Sequence, residues 1–298
     1  MPLVHSLVRN FAPPILFKRR RVGDRLAQLL LRALSNQSLP SLQTYYLKRE
    51  VDRTPEIRTL FPDSDMREHW GYARLENTSR SPNLYIHQLR FYRLVQFFRR
   101  SYPDVFDPHT RLLDIGDTSG VLFRAIGQPG LSLNLRPDRV AYIRSRGVEA
   151  VVGNAESLDF EDDSFDYVFC FQTLEHMLSP VRALQEMGRV ARRAVFISIP
   201  FVDVTRIWGR TGFIRDYRGA SPDEAASIQD DECHFFEFSA ADLIKLLTFT
   251  PLTCDTHFTL DYFAANERRS LIERPVIRLT PSHFNFFVLH KSVNVHVV

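Results

Sequence analysis

Spread over 298 residues, a composition of 44% apolar and 24% charged residues fits a soluble globular chain with one α/β domain of ordinary size plus an extension, and no run approaches the ~20 apolar residues that cross a bilayer. An integral membrane protein is therefore excluded, and so is a cysteine-stapled one: Cys170, Cys233 and Cys254 have no paired spacing, and Lys18–Arg21 interrupts the apolar N-terminal stretch a signal peptide would need, so a reducing cytoplasm is the expected compartment. The net charge of +3 hides an asymmetry: residues 1–49 hold nine Lys or Arg against one acidic residue, Asp24, a local +8 that leaves −5 on the other 249 residues.

Residues 1–80 read as helical pieces broken by Pro13, Pro14, Pro40, Pro55 and Pro62 and closed by a polar cluster at 77–83, a basic N-terminal extension rather than a separate domain. Leu26, Leu29, Leu30 and Ala33 recur at helical spacing while Arg25 and Arg32 take another face. A helix packing its leucines on the domain is the ordinary reading. Peripheral contact with an anionic membrane through the basic N-terminus is the alternative.

The domain proper is expected at 81–298. LYIHQLRFYRLVQFFRR sets Leu84, Gln88, Phe91, Val95 and Phe98 on one side of a long helix that should pack beside a sheet. Apolar strands follow at Arg111–Ile115, Leu131–Leu135, Val148–Val152, Tyr167–Phe171 and Ala194–Ile199, with helical segments between. That alternation implies parallel pairing, because a crossover needs a helix's length of chain. Residues 203–238 carry Gly209, Gly212, Gly219 and Pro222 with little periodicity and read as a lid or substrate-binding insertion. Within it, Arg206, Arg210, Arg215 and Arg218 alternate with Trp208, Phe213 and Tyr217. They suit an anionic substrate such as a phosphorylated or nucleotide-linked sugar, or else a solvated loop paired with nearby acids. Ser239–Leu247 makes a helix with Ser239 as N-cap, and strands follow at Leu252–Leu260 and Phe284–His290. The resulting class is α/β: a doubly wound, Rossmann-like sheet of seven mostly parallel strands with an antiparallel last strand, plus the helical N-terminal extension.

Ligands of such sheets sit outside the carboxyl ends of the strands, at the point where strand order reverses. Asp114 and the loop Gly116-Asp117-Thr118-Ser119-Gly120 occupy that place. The loop lacks the GxGxxG of nicotinamide-binding folds, which argues against a dehydrogenase. Beyond it stand Asn134 at the end of the second strand, Asn154-Ala155-Glu156 after the third, and DDSFDYVFCFQTLEHMLSP from Asp162 to Pro180, with Phe171 at the end of the fourth. In order and spacing these pieces resemble the class I S-adenosylmethionine-dependent methyltransferases, specifically a methyltransferase type 11-like domain, over most of residues 84–298.

The resemblance implies S-adenosylmethionine as cofactor and assigns roles by position. Asp114, Gly116, Asp117, Thr118 and Gly120 would form the loop beside it, with Thr118 where the family has its middle glycine, so that a Cβ widens the loop or crowds the ligand. Asn134 stands where the family has a carboxylate that accepts both ribose hydroxyls. Exchanging charge-assisted for neutral bonds is expected to weaken binding roughly tenfold. Asn154, with Ala155 and Glu156, would face the adenine, its oxygen able to receive the amino group, and Phe171 would border the site.

Transfer from a sulfonium needs an aligned acceptor and a place for a proton. His176, at the carboxyl end of the fourth strand, is the candidate base, with a structural, backbone-bonded histidine as the alternative. No metal is expected: relatives with a metal-binding ExxEH pattern would match Gln172, Glu175, His176 and His234 here, and the first carboxylate is missing. The expected function is methyl transfer to a small-molecule or glycan-type acceptor, with oxygen favoured over nitrogen or carbon. A non-catalytic methyltransferase-like partner or scaffold, supported by Thr118 and Asn134, is the rival reading. Nucleic-acid methylation, suggested only by the basic N-terminus, ranks below both.

Overall fold

The computed structural model describes residues 45, 47–63, 82–200, 235, 236, 238–261 and 283–292; most of the basic N-terminal segment and of the 203–238 insertion, with His234 and the four arginines, lies outside the described residues. Helix α1 (Pro55–Leu60) is followed by the long α2 (Pro82–Ser101). The face set out by spacing, Leu84, Gln88, Phe91, Val95 and Phe98, is buried. Arg99 and Arg100 close its last turn, where they complement the negative end of the helix dipole.

The strands are β1 (Leu112–Ile115), β2 (Leu131–Asn134), β3 (Glu149–Val152), β4 (Phe165–Phe171), β5 (Ala191–Pro200), β6 (Leu252–Asp261) and β7 (His283–Lys291). They form one seven-stranded sheet in the order β3-β2-β1-β4-β5-β7-β6. The β1–β2, β1–β4, β2–β3 and β4–β5 pairs are parallel, whereas β7 runs antiparallel to both neighbours, as expected for the last strand. Connecting helices are α3 (Val121–Ile126), α4 (Pro137–Ser145), α5 (Pro180–Val190) and α6 (Ala240–Leu247). Ser239 caps α6 as read from sequence, its hydroxyl accepting from Asp242 N while the Asp242 carboxylate accepts from Ser239 N.

The alternation of side chains along each strand divides the core into two layers. On one face Leu112, Tyr167, Phe169, Phe196 and Phe286 meet α2, α3 and α4; on the other Leu113, Ile115, Val168, Ile197 and Phe287 meet α5 and α6. Phe98 of α2 anchors the first layer, its ring 5.4 Å from Phe169 and 5.0 Å from Phe196 in edge-to-face contacts. Leu47, Val51, Ile57 and Phe61 are buried in that same layer, so the described part of the extension shares its core with the sheet. Gln88 ties it down by donating to the Phe61 carbonyl and to Asp63.

Two strands are longer than apolar periodicity suggests. β4 begins at Phe165 and β5 at Ala191, so the charged pair Arg192–Arg193 lies within the ladder. Both guanidinium groups reach the buried carboxylate of Asp166, which compensates their place at the strand's amino end. Among the described residues no helix is long and apolar enough to cross a membrane.

Candidate functional site

Because β1 lies between β2 and β4, the chain leaves it in one direction toward β3 and returns in the other toward β5, and a crevice opens at its carboxyl end. The loop that borders this crevice turns on Gly116 and Gly120, at φ +81° and +68°, in the left-handed region that a side chain disfavours. Gly116 N donates to the Leu133 carbonyl at 2.8 Å. Thr173, just past β4, approaches so closely that a Cβ on Gly116 would lie 2.1 Å from its Cγ2.

Between these glycines the Asp117 carboxylate folds back into the loop. It accepts from Ser119 N and Gly120 N at 2.9 Å and from the Ser132 hydroxyl of β2 at 2.6 Å. Burial raises its pKa even so, the hydrogen bonds offsetting only part of the effect. Asp114, buried at the end of β1, is pushed well above the ordinary carboxylate range by burial and then by Asp117, with Arg90 of α2 opposing.

Asn134 is buried against the same loop. Its Nδ2 donates to the Asp117 carbonyl at 2.7 Å and its Oδ1 accepts from Arg136 N at 2.9 Å. Asn154 is exposed and its Oδ1 accepts from Glu156 N at 2.9 Å, while Ala155 is buried beside it. The Glu156 carboxylate receives Leu178 N and Ser179 N, at 2.9 and 3.0 Å, which fastens the loop after β3 to the start of α5. Phe171 is half-buried against Phe169 and Phe286. Around this edge Leu135, Val152 and Leu178 remain in solvent, at 68%, 48% and 72% exposure.

The turn leaving β4 is strained where it enters the crevice, with Gln172 at φ +54°. It continues as a 3₁₀ turn, Leu174–His176, in which His176 N donates to the Thr173 carbonyl and the His176 ring is half-buried. Glu175 points inward instead, and neither of its carboxylate oxygens has a hydrogen-bond partner among the described residues. Burial pushes its pKa up to about 8, against its own backbone N–H and then the pull of Arg90. The Glu175 carbonyl accepts from Phe235 N and Phe236 N at 2.9 and 3.2 Å, so the chain returning from the insertion is hung on this turn. Among the described residues no cluster of three or more His, Cys, Asp or Glu is placed to hold a metal.

Asp114, Gly116, Asp117, Thr118, Gly120 and Asn134 therefore meet on one side of the crevice, with Phe171 and His176 at the end of β4 and Asn154, Ala155 and Glu156 after β3. Sequence reasoning passed over Ser132 and Thr173. Ser132 carried a signal, a polar residue inside the apolar strand LSLN; Thr173 carried none, since its importance comes from a contact across the fold.

Residues 113–199 match the profile of a family described as a methyltransferase domain. No curated protein matches the chain. Among solved structures, the chain is similar to the PH0226 protein of Pyrococcus horikoshii OT3, at 16% identity and a TM-score of 0.50 over 74% of this chain and 99% of that one. It is also similar to magnesium protoporphyrin IX methyltransferase from Synechocystis PCC 6803 with bound S-adenosylhomocysteine, at 13% identity and a TM-score of 0.50 over 76% and 97% of the two chains.

Proposed function

We propose that this chain, whose residues 113–199 match the model of a methyltransferase domain, binds S-adenosylmethionine at the carboxyl edge of its sheet and catalyses methyl transfer to a small-molecule acceptor, with oxygen as the accepting atom. The observation that carries the reading is the glycine-bounded loop at the point where strand order reverses. Two left-handed glycines turn the loop at the end of β1, and Leu135 and Val152 leave apolar surface beside it, suited to a flat nucleobase. The residues present fit the cofactor: the loop between Gly116 and Gly120 would border it, and Asn134 and Asn154 would offer neutral polar contacts to ribose and adenine.

When bound, the sulfonium supplies an already activated methyl group. The chain's own work is then to hold the acceptor in line and to receive its proton. His176 is the residue assigned to that proton: it sits on the turn after β4, its ring is half-buried, and Thr173 fixes its backbone. A small-molecule or glycan-type acceptor would approach over Phe235 and Phe236, which hang on the same turn.

A non-catalytic relative is favoured by a different observation, the engagement of Asn134 on both sides of its amide. Calorimetry with S-adenosylmethionine separates the two readings. Binding at micromolar to sub-millimolar concentration is expected, and His176→Gln should keep it while slowing transfer by ~10²–10⁴-fold. A folded protein giving no heat at millimolar ligand would sink the enzyme reading.

A further inference from the structure

The loop after β1 and the end of β2 are built as one unit. Asp117 contributes to it twice. Its carboxylate closes the loop on Ser119 N, Gly120 N and the Ser132 hydroxyl, and its carbonyl accepts the Asn134 amide at 2.7 Å. In dinucleotide-binding sheets of this kind an acid about 20 residues beyond the first turn hydrogen-bonds a ribose hydroxyl, and position 134 is the corresponding place here. An acid here would set a carboxylate oxygen against the Asp117 carbonyl with no proton between them. It would also bring a second acid against a loop that already buries the Asp117 carboxyl group.

We propose that Asp117 and Asn134 form a matched pair: the inward-folded Asp117 makes position 134 a donor's place, so the ribose of a bound nucleoside is held there by an amide and not by an anion. An amide already donating to Asp117 and accepting from Arg136 keeps one N–H and one acceptor lone pair for a ligand. The ribose diol is then a minor determinant of binding in this site. That second half rests on the cofactor reading above; the pairing of the two residues does not.

The charged groups around position 134 are Asp117 in the loop, Asp114 at the end of β1 and, on the exposed side, Arg136, whose side chain is held by Asp138. Asn134→Asp should therefore be tolerated only when protonated. Relative to the unsubstituted chain, its midpoint of thermal unfolding is expected to fall by about 4 °C or more further at pH 8 than at pH 5. Adding Asp117→Ser should shrink that pH-dependent difference. An equal penalty at both pH values, or no penalty, overturns the pairing.

The ribose half is read by competition between S-adenosylhomocysteine and its 2′,3′-dideoxy analogue on the full chain. A loss below about thirtyfold is expected when only neutral bonds are removed, and a larger loss overturns it. If the folded protein binds no S-adenosylhomocysteine at all, the cofactor reading and the ribose half fall together. The thermal scans still decide the pair.

Discussion

Replacing Gly116 by alanine tests the close contact between the loop after β1 and the turn after β4. The backbone there has φ +81°, which costs an L-residue about 1–2 kcal/mol. The new Cβ would also lie 2.1 Å from Thr173 Cγ2, 2.4 Å from its Oγ1 and 2.8 Å from its Cβ, an overpacking cost of about 1–3 kcal/mol. Together these give about 2–5 kcal/mol, or a fall of roughly 5–15 °C in Tm for a domain of this size. Gly127→Ala is the control: φ is +68° but nothing lies within 4 Å, so only the backbone cost of about 1–2 kcal/mol applies. Thr173→Ala combined with Gly116→Ala removes the two shortest contacts and should recover about half of the excess. Thermal and urea unfolding followed by circular dichroism would measure all four chains. Equal losses for Gly116→Ala and Gly127→Ala would refute the argument that Thr173 fills the space beside this loop.

Glu175 gives a pH dependence of definite sign. Its folded pKa of about 8 stands above the ordinary 4.5, so between those values the unfolded chain releases a proton that the folded chain keeps, and stability falls as pH rises. Glu175→Gln should flatten that slope and be the more stable protein at pH 8; urea titrations of both chains at pH 5 and pH 8 would show a parallel response if the carboxyl were not held in this way. Phe98→Ala, which empties the centre of the aromatic layer, should cost about 3–5 kcal/mol in the same assay. Ser239→Ala removes one bond of the capping box on α6 and should cost about 1 kcal/mol, with far-ultraviolet dichroism otherwise unchanged.

The sheet was legible because each strand is bounded by turn residues and separated from the next by a helix's length of chain. Ser239 could be assigned because an N-cap acts on its own first turn. Strand limits at Phe165 and Ala191 were harder, since Arg192 and Arg193 look like loop residues until Asp166, distant in sequence, is placed beside them. The candidate site divides in the same way. Gly116, Gly120 and His176 could be located by their places at strand ends, and Asn134 by the family resemblance. The inward turn of Asp117, the burial of Glu175 and the pressure of Thr173 on Gly116 depend on where one loop lies against another, which offsets do not encode.

The place of β7 has a consequence for the order in which the protein is made. β6 leaves the ribosome before β7, yet in the finished sheet its strand partner is β7, and β5 meets β6 only through β7. Until residues 283–291 have emerged, β5 presents an open edge with Phe196 and Ile197 in its ladder, and β6 has no strand to pair with among the described residues. The C-terminal third of the sheet must therefore assemble late and all at once. Nascent chains halted before β7 are the ones that should call on chaperones and aggregate through that edge.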